Sequence, residues 1–432
     1  MKPFAHWVAL TATLFAHACG GGSDSASSGS GGAGGSGGDE SAPVTSSDAT
    51  STSAATTATT SGAPSTADAL LAALDAERDA TLLAQSRDGG WPAPVEGGYL
   101  FVTSDLSMAN LAGAFNGWQP TAMNLEDDFA WLVADAMPGD GYKFTDGQAD
   151  YAADRWSRAY GYDDFGEMSY VKPDSGGHLE RHFEVGAASV APRTLRVWLP
   201  QANALRILYV HDGQNLFDPE ATAGGWRLQE TTPEDTMVVG IDNTPARMDE
   251  YTHVEDDLGS GAVGGAADAY ADFVHGPVRA LVAKEYGEPS IVGVMGSSLG
   301  GLISLHLADR YPGEYRFAGA LSGTLGWGSI GDGVHNETMI ERYVAHGHQQ
   351  TVLYLDSGGN GPCADTDDDG IDDDGAGSDN YCETKQLEQA LLDVGYASDV
   401  DLHHWHEPGA PHNEAAWAAR VFRPFAIFET LK

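Results

Sequence analysis

Basic side chains are scarce in this chain: 22 Lys and Arg stand against 63 Asp and Glu, a formal net charge of −41 over 432 residues. A phosphate backbone needs a basic face, so nucleic acid is excluded as a natural partner. Such an acidic surface favours solubility but specifies neither fold nor substrate. Cysteine is nearly missing too, with Cys19, Cys363 and Cys382 the only three. Once Cys19 is set aside, a single intramolecular pair remains. At the N-terminus, the apolar stretch from Phe4 to Ala18 follows Met1-Lys2-Pro3. It is too short for a membrane span and reads as a secretory signal.

Residues 20–66 are almost entirely Gly, Ser, Ala, Thr and Asp without apolar periodicity, the composition of a disordered linker. Cys19, followed at once by Gly20-Gly21-Gly22-Ser23, resembles a bacterial lipoprotein start. That resemblance implies a signal over residues 1–19, lipid on Cys19, and an exported protein anchored to a membrane. The outer membrane or cell surface is the implied destination, because Gly20 rather than aspartate follows the cysteine. Ala16-His17-Ala18 departs from the usual leucine three places upstream, which leaves a plain secretion signal as the alternative. Cys363 and Cys382 flank a loop rich in Gly and Asp, and an oxidising compartment would let them pair across it.

Past the linker, Leu70, Leu71, Leu74, Leu82 and Leu83 recur among charges at helical spacing, so residues 67–90 are expected to be a helical segment. Residues 91–190 follow as a module and connector. Tyr99-Leu100-Phe101-Val102, Leu111 to Phe115, Phe129 to Val133 and Gly141 to Phe144 read as short strands separated by Gly, Pro and Asn turns, which predicts a small all-β sandwich. Ala112 to Trp118 and Tyr142 to Gln148 resemble immunoglobulin-like modules of glycogen-binding and enterochelin-esterase-type proteins. Trp118 and Lys143 match two sugar-holding positions of the sugar-binding members, but Ala149 stands where a second tryptophan would stack. Packing or domain docking is therefore the favoured role.

From residue 191 to 432 strands alternate with helices, which predicts a mainly parallel α/β sheet. Candidate strands are Leu195–Leu199, Arg206–Val210, Met237–Ile241, Ile291–Met295, Ala318–Leu321, Thr351–Asp356 and Val400–Trp405; candidate helices include Ala267–Glu285 and Thr384–Val394. The apolar run Ile291-Val292-Gly293-Val294-Met295 enters Gly296-Ser297-Ser298-Leu299-Gly300, and a helix-compatible run leaves it. Strand, sharp turn, helix is the context that gives G-x-S-x-G its meaning, because it presents the serine oxygen above a sheet.

With Leu208-Tyr209-Val210-His211-Asp212-Gly213-Gln214, Val239-Gly240-Ile241-Asp242-Asn243 and His412-Asn413-Glu414-Ala415-Ala416-Trp417, this elbow resembles the esterase D family of α/β-hydrolases. That family includes enterochelin esterases, feruloyl and acetyl-xylan esterases and mycolyltransferases. The resemblance implies an α/β-hydrolase domain over 191–432. It also implies a serine-dependent carboxylic-ester hydrolase, with a small-molecule or polysaccharide-linked ester as substrate and no cofactor for catalysis. Acyl transfer to a sugar, or a non-catalytic carbohydrate-binding surface lipoprotein, are the competing functions.

A serine hydroxyl needs a base, and His412 lies in the loop after the last candidate strand where this fold places one. His403, His404 and His406 compete for that role. The N–H groups of Leu299 and Gln214 are the expected oxyanion donors. Chain order puts the acid after the Thr351–Asp356 strand, so Asp356 is expected, with Asp379 and Asp365 as alternatives. The insertion 363–382 carries Asp365, Asp367, Asp369 and Asp373 around Gly370. The alternating carboxylates suit a hard cation, and the run resembles a thrombospondin type 3 calcium loop, so structural Ca2+ is expected there.

Overall fold

A computed structural model describes residues 66–432 apart from 288, 332 and 376. The signal, Cys19 and nearly all of the linker lie outside the described residues. Helix Ala67–Asp88 comes first, with Leu74 and Leu82 buried. Ten strands follow: β1 Ala93–Val95, β2 Gly98–Thr103, β3 Asn110–Gly113, β4 Thr121–Ala122, β5 Asn124–Leu125, β6 Ala130–Ala134, β7 Gly141–Thr145, β8 Tyr151–Ala152, β9 Ala159–Asp163 and β10 Gly166–Tyr170. Four of them form an antiparallel sheet in the order β1-β2-β6-β5. The helix covers one face of this sheet through Leu74, Leu82, Trp91, Leu100 and Val102. The other face meets β3 and β7 through Phe101, Leu111, Tyr142 and Phe144. The expected two-sheet module is thus present as antiparallel layers.

The second of those layers does not end at the module. It continues as one 14-stranded sheet into β11 His178–Ala187, β12 Val190–Leu199, β13 Arg206–His211 and β14 Thr236–Ile241, and on through β17 Ile291–Ser297, β18 Phe317–Leu321, β19 Val352–Ser357 and β20 Leu402–His406. A short separate ribbon, β15 Glu255–Asp257 with β16 Ala262–Gly264, precedes β17. The seam is narrow: β9 pairs with β11 at Leu179↔Tyr160 and Glu180↔Ala159. Buried Glu180 fastens it, ion-paired to Lys172 at 3.2 Å and accepting from Tyr286 at 2.8 Å.

Strands β13, β14, β17, β18, β19 and β20 pair in parallel, and β11 and β12 add an antiparallel edge. Their apolar residues alternate between two cores. One contains Ile207, Tyr209, Val294, Leu353 and Leu355; the other contains Leu208, Val210, Met295 and Tyr354. A strand buried on both faces explains the continuous apolar runs of the sequence. The expected Ala267–Glu285 helix is interrupted by a π-turn at Val274–Val278 that contains Pro277. Proline has no N–H to give a regular α-turn, and the wider turn accommodates it.

In space β13 lies between β14 and β17, so the chain leaves β13 toward one side of the sheet and returns on the other. Clefts form at the carboxyl ends of strands at such a reversal. The residues following β13 and β17 are Asp212–Gln214 and Ser298.

Candidate active site

Ser298 follows β17 directly and caps helix Leu299–Arg310, with φ 56° and ψ −126°. A non-glycine residue there is strained, and here the strain lifts the side chain out of the strand. The turn closes because Gly296 has no side chain: a Cβ would stand 2.6 Å from the backbone of Gly300. The Ser298 N–H continues the ladder by donating to the Leu321 carbonyl at 2.9 Å. Leu299 begins the helix, so its N–H is one of those a helix leaves without an intrahelical partner.

His412 precedes helix Glu414–Arg420, whose start is fixed by the Asn413 side chain accepting from the Ala416 N–H at 3.0 Å. Its ring packs edge-on against Trp417, centroids 4.9 Å apart. Its Nδ1 lies 2.6 Å from Asp379 Oδ1. An ionised carboxylate only accepts, so Nδ1 carries the proton and Nε2 is left as the basic nitrogen.

The expected acid, Asp356, is corrected by this geometry. Asp356 sits within β19, paired in register with Leu321 and Trp405, and is fully buried. Its carboxylate is taken by Arg420 Nε at 2.9 Å and the Tyr354 hydroxyl at 3.0 Å. Burial pushes it up to about 6 against the pull of Arg420. The alternative, Asp379, is the residue that meets the histidine. It returns to the rim because the strand ends in glycine: a Cβ on Gly359 (φ 60°) would lie 1.9 Å from the Ser378 carbonyl oxygen. Asp365 lies in the acidic loop. Among the competing histidines, His404 pairs with Glu388 at 2.7 Å, and His406 reaches the Gly359 carbonyl at 3.1 Å and stacks on Tyr381. His403 lies on the opposite side of the strand from both.

In the turn after β13, Asp212 is tied by Arg247 at 2.7 and 2.8 Å and by Asn243 at 2.6 Å. Burial raises its carboxyl, but Arg247 and Asn243 more than offset this and hold it below the usual range. The Gln214 side chain accepts from the Asn243 N–H at 3.1 Å, which fixes the turn Gly213–Asn215. Gln214 therefore occupies the turn after β13 where the second oxyanion donor was expected.

The Esterase family model matches residues 188–426, more than half of the chain. The chain belongs to the Esterase family. YbbA, an uncharacterised protein of Bacillus subtilis (strain 168), is 26% identical over 136 residues, 30% of this chain and 53% of YbbA. The chain thus spans about half the length of this curated relative. An IroE-like serine hydrolase from Shewanella oneidensis is 19% identical, covering 58% of this chain and 80% of that one, with a TM-score of 0.45. The enterobactin esterase FES from Shigella flexneri is 13% identical, covering 77% and 93%, with a TM-score of 0.43.

In this Esterase-family protein the loop before Asp379 is closed by Cys363–Cys382, Cα atoms 5.3 Å apart. Carboxylate oxygens of Asp365, Asp367 and Asp369 converge within 4.8 Å of one another. Burial and then the charges of Asp369, Asp373 and Asp365 raise the Asp367 carboxyl above its ordinary range. Asp373 is not part of the cluster, a second correction. Its carboxylate accepts from the Thr366 N–H at 2.7 Å and from the Thr366 hydroxyl, so it braces the loop instead.

In the N-terminal module, Lys143 is 5% exposed and donates to the Phe165 carbonyl at 3.0 Å. Trp118 alone of the matched pair is exposed. Sequence reasoning missed Ser322, Trp417 as more than part of a pattern, and Arg420. No motif surrounds Ser322 or Arg420, and burial of a charged helix residue beside two aspartates shows only in three dimensions.

The acid assignment separates cleanly by mutation. Asp379→Asn is expected to lower kcat on an activated ester by roughly three to four orders of magnitude, because the imidazole loses its orienting charge. Asp356→Asn should instead act on the melting temperature, since it removes the closer of the two carboxylates paired with buried Arg420, at a cost of about 3 kcal/mol. Steady-state kinetics and thermal melts of both variants check this. The reverse pattern would return the acid role to Asp356.

Proposed function

We propose that this protein is a serine carboxylic-ester hydrolase working through an acyl-serine intermediate, with a small-molecule or polysaccharide-linked ester as substrate. The observations that carry the reading are the strained Ser298 at the carboxyl end of β17 and a His412 whose Nδ1 is held by buried Asp379. In the reaction, His412 Nε2 takes the hydroxyl proton as Ser298 Oγ attacks the ester carbonyl. The N–H groups of Leu299 and Gln214 stabilise the oxyanion. The imidazolium, balanced by Asp379, then protonates the leaving alkoxide. Water then attacks the acyl carbonyl as His412 takes its proton, and the acyl–Oγ bond breaks as His412 returns that proton to Ser298, freeing the acid.

The non-catalytic sugar-binding reading is disfavoured, because Lys143 is spent on a backbone carbonyl. Hydrolysis and acyl transfer share every residue named above, and product analysis with and without an alcohol acceptor separates them.

The acidic insertion is proposed to hold one structural Ca2+ through Asp365, Asp367 and Asp369. Three convergent carboxylates repel one another without a counter-ion, and oxygen ligands in a tight loop suit this cation. Attachment of lipid at Cys19 is proposed on the sequence pattern alone.

Three measurements test these readings. Ser298→Ala should lose ester hydrolysis by several orders of magnitude with an unchanged melting temperature, and mass spectrometry of the wild type should find a slow-turnover acyl group on Ser298. Near-full turnover in that variant would refute the nucleophile. For the cation, chelator should lower the melting temperature of the wild type and leave an Asp367→Ala/Asp369→Ala variant nearly unmoved. Equal melting temperatures of the wild type with and without chelator would leave a solvated acidic loop. For the anchor, Cys19→Ala should move the protein from the membrane to the soluble fraction, and a wild type already wholly soluble would remove the lipid proposal.

A further inference from the structure

Ser322 lies immediately beyond the end of β18 and is fully buried. It has φ 47°, a left-handed conformation that glycine would adopt without strain and serine adopts at a cost of about 1 kcal/mol. Its backbone is held on both sides: its N–H donates to the Asp356 carbonyl at 2.8 Å, and its carbonyl accepts from Asn380 Nδ2 at 2.9 Å. The hydroxyl is what a glycine there would lack. Trp417 Nε1 donates to Ser322 Oγ at 3.0 Å, and Arg420 Nη2 donates to it at 2.7 Å. A serine oxygen has two lone pairs, and both are taken. Its single proton therefore points at the remaining neighbour, Asp379 Oδ2, 2.8 Å away.

We propose that Ser322 is a positioning residue for the esterase reaction: Trp417 and Arg420 fix its proton, and that proton locks the Asp379 carboxylate so that the other oxygen faces His412. The proposal rests on the serine-hydrolase reading given above. The Gly358 N–H is a second donor to Oδ2, at 2.5 Å, so Oδ1 is the oxygen left for the imidazole. Trp417 links the two partners of the acid–base pair, with its ring edge against His412 and its N–H on Ser322. Asp356 holds Arg420 Nε at 2.9 Å, and Nη2 of the same guanidinium is ion-paired with Asp379 Oδ2 at 3.5 Å.

The charged groups around Asp379 are His412, Arg420, Asp356 and Asp374. Removing a hydrogen-bond donor from Oδ2 concentrates charge on the carboxylate and favours the imidazolium. Ser322→Ala should therefore shift the acidic limb of the kcat/KM profile on a nitrophenyl ester toward higher pH. It should also lower kcat by roughly 10- to 100-fold through misplacement of the base, with KM changed less than about twofold. A residue that served packing alone would lower the melting temperature and leave the profile in place. Trp417→Phe, which keeps an aromatic ring at this position and removes the N–H donor together with part of the indole, provides a second route should Ser322→Ala not fold. It should move the limb in the same direction with a smaller loss of kcat.

The proposal is overturned if a folded Ser322→Ala, or Trp417→Phe in its stead, keeps the wild-type kcat and pH profile while Ser298→Ala is inactive. A wild type that neither hydrolyses activated esters nor reacts with a fluorophosphonate at Ser298 overturns the hydrolase reading itself, and this inference with it.

Discussion

The site depends on one hydrogen bond, the 2.6 Å contact between His412 Nδ1 and Asp379 Oδ1. It selects the imidazole tautomer, and through it the basic nitrogen that can activate a serine. Both partners come from loops, and neither loop could hold it alone. His412 is fixed by the capped helix behind it and by the Trp417 ring. Asp379 is fixed from below by the Gly358 N–H and the Ser322 hydroxyl. The contact exists only because β19 ends in glycines over which the end of a stapled loop can lie.

Backbone strain gathers at the same place. Ser298, Ser322 and Asp379 all have positive φ, at 56°, 47° and 52°. Each is held by a sheet rim whose ladder runs unbroken through β17, β18 and β19. The broad parallel sheet, buried on both faces, supplies the rigidity that lets three unfavourable conformations persist side by side. The fold and the chemistry are connected at this point: a looser rim would let the elbow and the acid relax into ordinary turns.

Much of this was legible from residue order. The parallel sheet followed from short branched runs alternating with helical ones, and every candidate strand from Leu195–Leu199 onward overlaps an observed strand, with Thr351, Val400 and Asp401 falling just before theirs. The elbow was legible because its glycines answer a local steric demand. Pairing of Cys363 with Cys382 followed from arithmetic. The acid was not legible, since chain order narrows it to a segment and three aspartates, Asp356, Asp365 and Asp379, satisfy that order. The burial of Asp356 against Arg420, a residue 64 positions away, and the contact of Asp379 with His412 decide among them. Asp373 stands outside the three convergent carboxylates, with one of its oxygens turned to Thr366. Lys143 matched a surface pattern but is buried, its ammonium taken by the Phe165 carbonyl between β9 and β10.

The central claim, that the histidine proton is held by Asp379, can be read directly as a downfield imidazole proton resonance in the NMR spectrum of the resting protein. The account predicts that this resonance is present in the wild type, survives in Asp356→Asn, and disappears in Asp379→Asn. A resonance that survives in Asp379→Asn and is lost in Asp356→Asn would contradict it.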